Sequence, residues 1–142
     1  MRWVLLDEIL EIQKGQYAKS RSHIPALEAS AEVLMIEMMA QTGGLLVGAE
    51  SNFQSNLIFA KIETAEFHGE YGPGDAIEIS AAAENLKADG SWIDGEVIKN
   101  GELIARSRIL LMNAGEIVPG KKASITFHEE FMKHFKVLEK IK

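Results

Sequence analysis

Apolar and polar positions alternate through much of the second half of the chain, and this alternation predicts β-strands. The first strand-like segment extends from Leu57 to about Phe67. Three further runs follow, reading AIEISAAAENL, SWIDGEVIKN and ELIARSRILLMNA, and turn-forming residues separate them. Asn100-Gly101, between the last two runs, is a strong signal for a tight hairpin.

One helix is predicted ahead of these strands. Ser30 is a suitable N-cap, Glu32 follows in the first turn, and a mostly apolar segment continues to Thr42. Two glycines come next, so we expect the helix to end at Thr42. Because the segment is apolar almost all round, the helix should be buried.

Two segments precede this helix. QYAKSRSHI predicts a strand with Ala18, Ser20 and Ser22 on one face, ended by Pro25. The opening WVLLDEILEI fits either a short helix or a strand, because its apolar residues satisfy both periods.

The C-terminal segment ITFHEEFMKHFKVLEKIK predicts one amphipathic helix. Thr126 and Glu129 fit a capping box at its start. From Lys121 onward the chain holds six lysines against three glutamates, so this end is basic within an acidic protein. We therefore expect a main domain at 1–118 and a basic helical extension at 119–142.

Composition narrows the class of protein. A chain of 142 residues, 46% hydrophobic and 25% charged, is expected to form one domain with a real core. Its net charge of −6 argues against nucleic acid as the main partner. The sequence has no apolar run of the ~18–20 residues that span a membrane, and no cysteine for disulfides or thiol chemistry. A cytoplasmic location fits these features.

Glu37 is the candidate for chemistry, because it interrupts the apolar stretch from Val33 to Ala40. Burial would disfavour its ionised form and raise its pKa, which suits a carboxylic acid that donates a proton near neutral pH. In the alternative interpretation, Glu37 and Gln41 form a polar seam and Glu37 pairs with a basic residue.

Four segments carry a resemblance to a known family. They read LLDEILEIQKG, LMIEMMAQTGGLL, IFAKIETAEFHGEYGPGDAIEI and IDGEVIKNGELIARSRILL, and the second resembles a helix motif L-x-x-E-x-x-A-Q-x-x-G. Together they resemble the hotdog-fold β-hydroxyacyl-acyl-carrier-protein dehydratases (FabZ/FabA-like) over roughly residues 3–113. The resemblance implies an α+β hotdog fold, with a curved antiparallel sheet around a long central helix, to which the tail adds an amphipathic helix.

The family's catalytic pair is a histidine and, fourteen residues later, a glutamate on the central helix. His23 and Glu37 stand at this spacing, and His23 with Pro25 keeps the family's H-x-P. The resemblance implies that His23 removes the α-proton of a 3-hydroxyacyl thioester and that Glu37 protonates the leaving hydroxyl. Pro25, Met38 and Gln41 are expected to border the substrate.

Two alternatives stay open for His23, because the stretch from Gly15 to His23 is shorter than in the family. If the strand before His23 is shortened, the catalytic histidine is kept. If the loop itself is deleted, His23 ends the preceding strand and the catalytic histidine is lost.

The resemblance also implies an assembly and a reaction. Family members pair edge to edge into homodimers whose sites use both chains, and we expect a homodimer or a higher homo-oligomer. The expected substrate is an acyl thioester on acyl carrier protein or coenzyme A, with no metal or organic cofactor. Two rivals are a thioesterase in which Glu37 activates water and a degenerate acyl-thioester-binding subunit.

Overall fold

The computed structural model describes residues 4–54, 56–87, 89–114 and 129–142. In chain order its elements are β1 (Glu8–Gln13), β2 (Tyr17–His23), α1 (Ala31–Glu50), β3 (Leu57–Phe67), β4 (Ala76–Ala83), β5 (Gly90–Lys99), β6 (Glu102–Asn113), α2 (Glu129–His134) and α3 (Val137–Lys140). No helix in these ranges is long and apolar enough to cross a membrane.

Six strands form one antiparallel sheet in the order β1-β2-β4-β5-β6-β3. Helix α1 packs against one face of the sheet, called here the inner face. The predicted hotdog arrangement, a curved antiparallel sheet around a long central helix, is confirmed. The opening segment, whose pattern fits a helix or a strand, forms strand β1.

Strand alternation places apolar and small side chains on the inner face. In β2 the residues Ala18, Ser20 and Ser22 share one face, as the pattern predicts, and all three are buried. In β5 the buried residues include Ile93 and Val97. The β5–β6 hairpin turns at Asn100-Gly101, where both residues have positive φ, so the predicted tight turn is confirmed.

Helix α1 begins as predicted and ends later than predicted. The Ser30 side chain accepts a hydrogen bond from the Val33 backbone N–H, 3.2 Å away. The expectation that the helix ends at Thr42 is wrong, because α1 continues through both glycines to Glu50. A Cβ at Gly43 would lie 2.6 Å from Ile93 on β5, so this glycine allows close helix–sheet packing. That contact offsets a helix-propensity penalty of about 1 kcal/mol.

The C-terminal segment is helical, as expected, and it is divided into two short helices instead of one. The break falls at Lys136, whose φ is 50°. The left-handed residue separates Phe135 from Val137, and both of these side chains are buried in the core. The predicted capping residue Thr126 and the expected domain boundary between 118 and 119 lie outside the described residues.

The two edges of the sheet differ. At the β1 edge, Ile141 forms a parallel bridge to Ile12, and the Lys142 N–H donates to the Ile12 carbonyl. At the opposite edge β3 is the terminal strand, and it is exposed along nearly its whole length. Its exposed side chains include Ile58, Phe59 and Ile62.

Candidate active site

Glu37 lies on the part of α1 that the sheet does not cover completely. Leu34, Met35, Met38 and Met39 are fully buried against the sheet. The accessible positions of the helix between Val33 and Gln41 form one stripe, since residues three and four apart lie on the same side of a helix. We call this the open stripe; its members are Val33, Ile36, Glu37 and Gln41.

The pKa of the Glu37 carboxyl is raised above its ordinary value because partial burial disfavours the charged form. A hydrogen bond from Gln41 lowers the same pKa by a smaller amount. The rise agrees with the sequence-based expectation. Glu37 makes no ion pair with any basic residue in the part of the chain that the structure describes.

Gln41 connects Glu37 to the N-terminal segment. Its Nε2 donates to Oε1 of Glu37 over 3.3 Å, one helical turn away. Its own Oε1 accepts from the Leu5 backbone N–H over 3.0 Å. The Leu5 carbonyl in turn accepts from the hydroxyl of Ser22 on β2. The residue expected to border the substrate is thus bonded to the candidate acid.

His23 is the last residue of β2 and pairs with Ala76 of β4. Both sequence alternatives place His23 on this strand, so its position does not choose between them, and its catalytic role stays a prediction. Its Nδ1 lies 2.7 Å from Oδ2 of Asp7, and its side chain is 54% exposed. His23 and Glu37 therefore have different bonded partners within the chain, and a pairing across two subunits stays a prediction.

The two other expected substrate residues lie in different surroundings. Met38 is fully buried in the core between α1 and the sheet. Pro25 is partly buried in the loop that joins β2 to α1. Contact of Met38 with substrate would therefore require space to open between α1 and the sheet, and the contact of Pro25 stays a prediction.

Sequence reasoning missed a second polar contact at the start of α1. The hydroxyl of Tyr71 lies against the carboxylate of Glu32. Burial is the larger cause that raises the pKa of Tyr71, and the Glu32 carboxylate is the smaller one. The contact joins a helix to a turn 39 positions along the chain, and nothing in the local pattern signals it. In the same turn, Asp75 accepts from Lys99 and from the Gly72 backbone N–H, and both bonds lower its pKa.

The described residues contain no cluster of three or more His, Asp or Glu side chains that could hold a metal ion. The polar groups on the open stripe are the carboxyl of Glu37, whose pKa is raised, and the carboxamide of Gln41, which donates a hydrogen bond to it. Such a carboxyl can donate a proton, and in its ionised form it can accept one.

Comparison with solved structures supports the fold. The dehydratase heterocomplex ApeI:P from Xenorhabdus doucetiae superposes with a TM-score of 0.68 at 15% identity, over 80% of this chain and 84% of that one. A hypothetical thioesterase protein from Streptococcus pneumoniae superposes with a TM-score of 0.61 at 11% identity, over 77% and 91%. At these identities the likeness establishes the hotdog architecture alone.

Comparison of sequences is more specific, although no family model matches the chain. The 3-hydroxyacyl-[acyl-carrier-protein] dehydratase FabZ of Geobacillus thermodenitrificans is 30% identical over 122 residues. That alignment covers 76% of this chain and 83% of the relative. The chain therefore belongs to the FabZ family of hotdog-fold proteins.

Proposed function

We propose that this protein is a 3-hydroxyacyl thioester dehydratase-like enzyme and that Glu37 is its acid. The observation that carries the proposal is the placement of Glu37 on the open stripe, where burial favours its protonated form. Membership of the FabZ family supplies the reaction, the removal of water to give a trans-2-enoyl thioester.

The proposed reaction needs two proton transfers. A base takes the proton α to the thioester carbonyl, and the electron pair forms the new C=C bond. The β C–O bond breaks, and the hydroxyl leaves as water with the proton from Glu37. Positioned acids and bases typically contribute about 10²–10⁴-fold each to such rates.

His23 remains the proposed base, and one contact supports this role. Asp7 accepts at Nδ1 of His23, which leaves Nε2 to take a proton. The position of β2 places His23 far from the proposed dimer edge at β3. Four strand-to-strand spacings, about 19 Å along the sheet, separate β2 from the β3 edge. His23 can therefore meet the partner's Glu37 only if the curvature of the sheet brings the end of β2 towards the partner subunit.

A homodimer through β3 is part of the proposal. Phe59 and Ile62 face inward on β3 yet are 38% and 44% exposed, and Val33 on the open stripe is 56% exposed. A second copy paired antiparallel along β3 would cover these apolar residues and bury Glu37 further. A two-fold axis at Ile62 would set Lys61 of one chain opposite Glu63 of the other, which is a favourable charge pair. Further assembly of such dimers is compatible with this arrangement.

A thioesterase is the second candidate, and the placement of His23 favours it. A glutamate that works without a histidine can activate water for attack on a thioester carbonyl. A hypothetical thioesterase protein also shares the fold. The third candidate is a binding subunit that works beside a different hotdog chain.

The proposed substrate is carried by acyl carrier protein or coenzyme A, and the proposed location is the cytoplasm. Neither step of the proposed reaction requires a metal or an organic cofactor, because both are proton transfers.

Products distinguish these functions. The protein is incubated with crotonyl and 3-hydroxybutyryl thioesters of acyl carrier protein and of coenzyme A, while enoyl absorbance and released thiol are followed. Interconversion of the two acyl groups without thiol release is expected. Thiol release would overturn dehydration in favour of hydrolysis, and binding without either reaction would leave only the binding subunit.

The role of His23 is tested in the same assay. His23→Ala is expected to abolish interconversion, with His134→Ala, an exposed histidine on α2, as the matched control. Wild-type interconversion rates in His23→Ala would exclude His23 as the base and leave the role of Glu37 unaffected.

A further inference from the structure

We propose that Gln41 is a positioning residue whose carboxamide, oriented by the Leu5 backbone N–H, holds Oε1 of Glu37 and leaves Oε2 to meet the substrate. The inference deepens the proposed function and rests on it, because Glu37 is taken to be the reacting group. It assigns a role to Leu5 in the segment before β1, in addition to the Asp7 contact with His23.

The backbone N–H of Leu5 determines the orientation of the Gln41 side-chain amide. A backbone N–H can only donate, so the atom of Gln41 that faces it, 3.0 Å away, is the amide oxygen. The amide nitrogen must then point the other way, where it donates to Glu37 over 3.3 Å. A flipped amide would set two donors against each other at Leu5.

Ser22 binds the Leu5 backbone on its carbonyl side. Its hydroxyl, on a side chain that is almost completely buried, donates to the Leu5 carbonyl. Leu5 is thus bonded to β2 through its backbone carbonyl and to α1 through its backbone N–H, which belong to the two peptide groups on either side of its Cα. Three consecutive hydrogen bonds run from Ser22 to Glu37, so the orientation of the candidate acid depends on the packing of the N-terminal segment.

With its amide nitrogen towards Glu37, Gln41 donates a hydrogen bond that stabilises the ionised carboxylate. In the opposite orientation the amide oxygen could only accept, so the carboxyl would have to be protonated. Gln41 therefore limits how far burial raises the pKa of Glu37. Buried inner-face residues of the described strands carry no charge. Glu32, on the first turn of the same helix, contacts Tyr71, and Asp7, in the segment before β1, contacts His23. Among the described residues, burial raises the pKa of Glu37 and the Gln41 hydrogen bond lowers it.

Two substitutions separate this role from ordinary packing. Gln41→Leu removes the donor to Glu37, and Gln16→Leu, at an exposed site, is its matched control. Leu5→Pro removes the N–H that orients the amide, together with the leucine side chain and the freedom of φ, while Leu5→Ala shortens the side chain and keeps that N–H.

The readout is the titration of the Glu37 carboxyl in the full chain, followed by carbon NMR and assigned by its loss in Glu37→Gln. The pH midpoint is expected to rise in Gln41→Leu and in Leu5→Pro and to stay at the wild-type value in Leu5→Ala and Gln16→Leu. In turnover, Gln41→Leu should lower kcat by about tenfold or more, the scale of one hydrogen bond to a charged group, with KM little changed.

An unchanged or lowered midpoint in Gln41→Leu would overturn the proposal, as would a Leu5→Pro midpoint equal to that of Leu5→Ala in folded protein. If Leu5→Pro does not fold, Ser22→Ala replaces it, with an upward shift smaller than that of Gln41→Leu expected and no shift overturning the proposal. The titration needs no substrate. A raised midpoint in Gln41→Leu, in a protein without turnover, would overturn the proposed function and support the positioning role.

Discussion

Glu37→Gln should stabilise the folded protein at neutral pH and have little effect on its stability in acid. In the unfolded chain a glutamate has a pKa of about 4.3, and partial burial raises the pKa of Glu37 in the folded chain. Between these two values the folded state holds more protons than the unfolded state. The free energy of unfolding therefore falls as pH rises through that window, and above the folded pKa the loss stays constant.

The size of this effect follows from the shift in pKa. Each unit by which the folded pKa exceeds the unfolded value costs about 1.4 kcal/mol above the window. For a chain of this length, 1 kcal/mol corresponds to about 4 °C in Tm. Glutamine has nearly the same shape and no charge, so Glu37→Gln removes the penalty and keeps the volume. The proposed dimer buries Glu37 further and should enlarge the gain.

Scanning calorimetry of both proteins at fixed concentration from pH 4 to pH 8 measures this gain. The Tm of Glu37→Gln minus that of wild type should be near zero at pH 4 and should rise to a positive plateau. Glu78→Gln, on the exposed face of β4, serves as the control and should show no such rise. A Glu37→Gln protein that melts at or below the wild-type temperature at pH 8 would refute the reasoning.

Three further predictions test the packing and the assembly. Gly95→Ala should cost about 1–3 kcal/mol in urea unfolding, because its Cβ would lie 2.8 Å from a methionine Cβ on α1, whereas Gly72→Ala, with open space, should cost little. Equal stabilities would contradict this packing. Ile62→Lys should raise the dimer dissociation constant more than tenfold in sedimentation, since a buried isoleucine contributes about 1.5–3 kcal/mol; an intact dimer would contradict the β3 interface. Phe135→Ala should cost about 3–5 kcal/mol, and Leu138→Ala, at a 70% exposed site, far less. A stable Phe135→Ala protein would show that the tail contributes little to the core.

Local signals account for the elements that the sequence predicts well. The bounds of β3 agree with the strand-like segment from Leu57 to Phe67, and the β5–β6 turn follows from two residues that tolerate positive φ. The start of α1 follows from the Ser30 cap. Each of these depends on residues within a few positions of one another.

Tertiary contacts account for the errors. Gly43 signals a helix end in isolation, yet in the fold it allows α1 to approach Ile93 on β5. The tail breaks at Lys136 because this lets Phe135 and Val137 both enter the core. In each case a contact with a distant strand outweighs the local preference, and a single sequence does not reveal which distant residues meet.

In the candidate site too, the sequence indicates some of the residues, whereas their contacts with distant residues are found only in the fold. A carboxylate inside an apolar helical segment was visible in the sequence, and so was Gln41 one turn further on. Leu5 is 36 positions from Gln41, and Asp7 is 16 positions from His23. Neither contact has a local signature, so the orientation of Glu37 and the partner of the histidine emerged only from the fold.

The most direct test of the account is the rate of water addition to crotonyl-acyl carrier protein by Glu37→Gln beside wild type. Both proteins are first shown to be dimers and to bind the thioester. The account predicts a loss of about 10²-fold or more in kcat, the contribution of a positioned acid. A Glu37→Gln dimer that hydrates the thioester at the wild-type rate would contradict it.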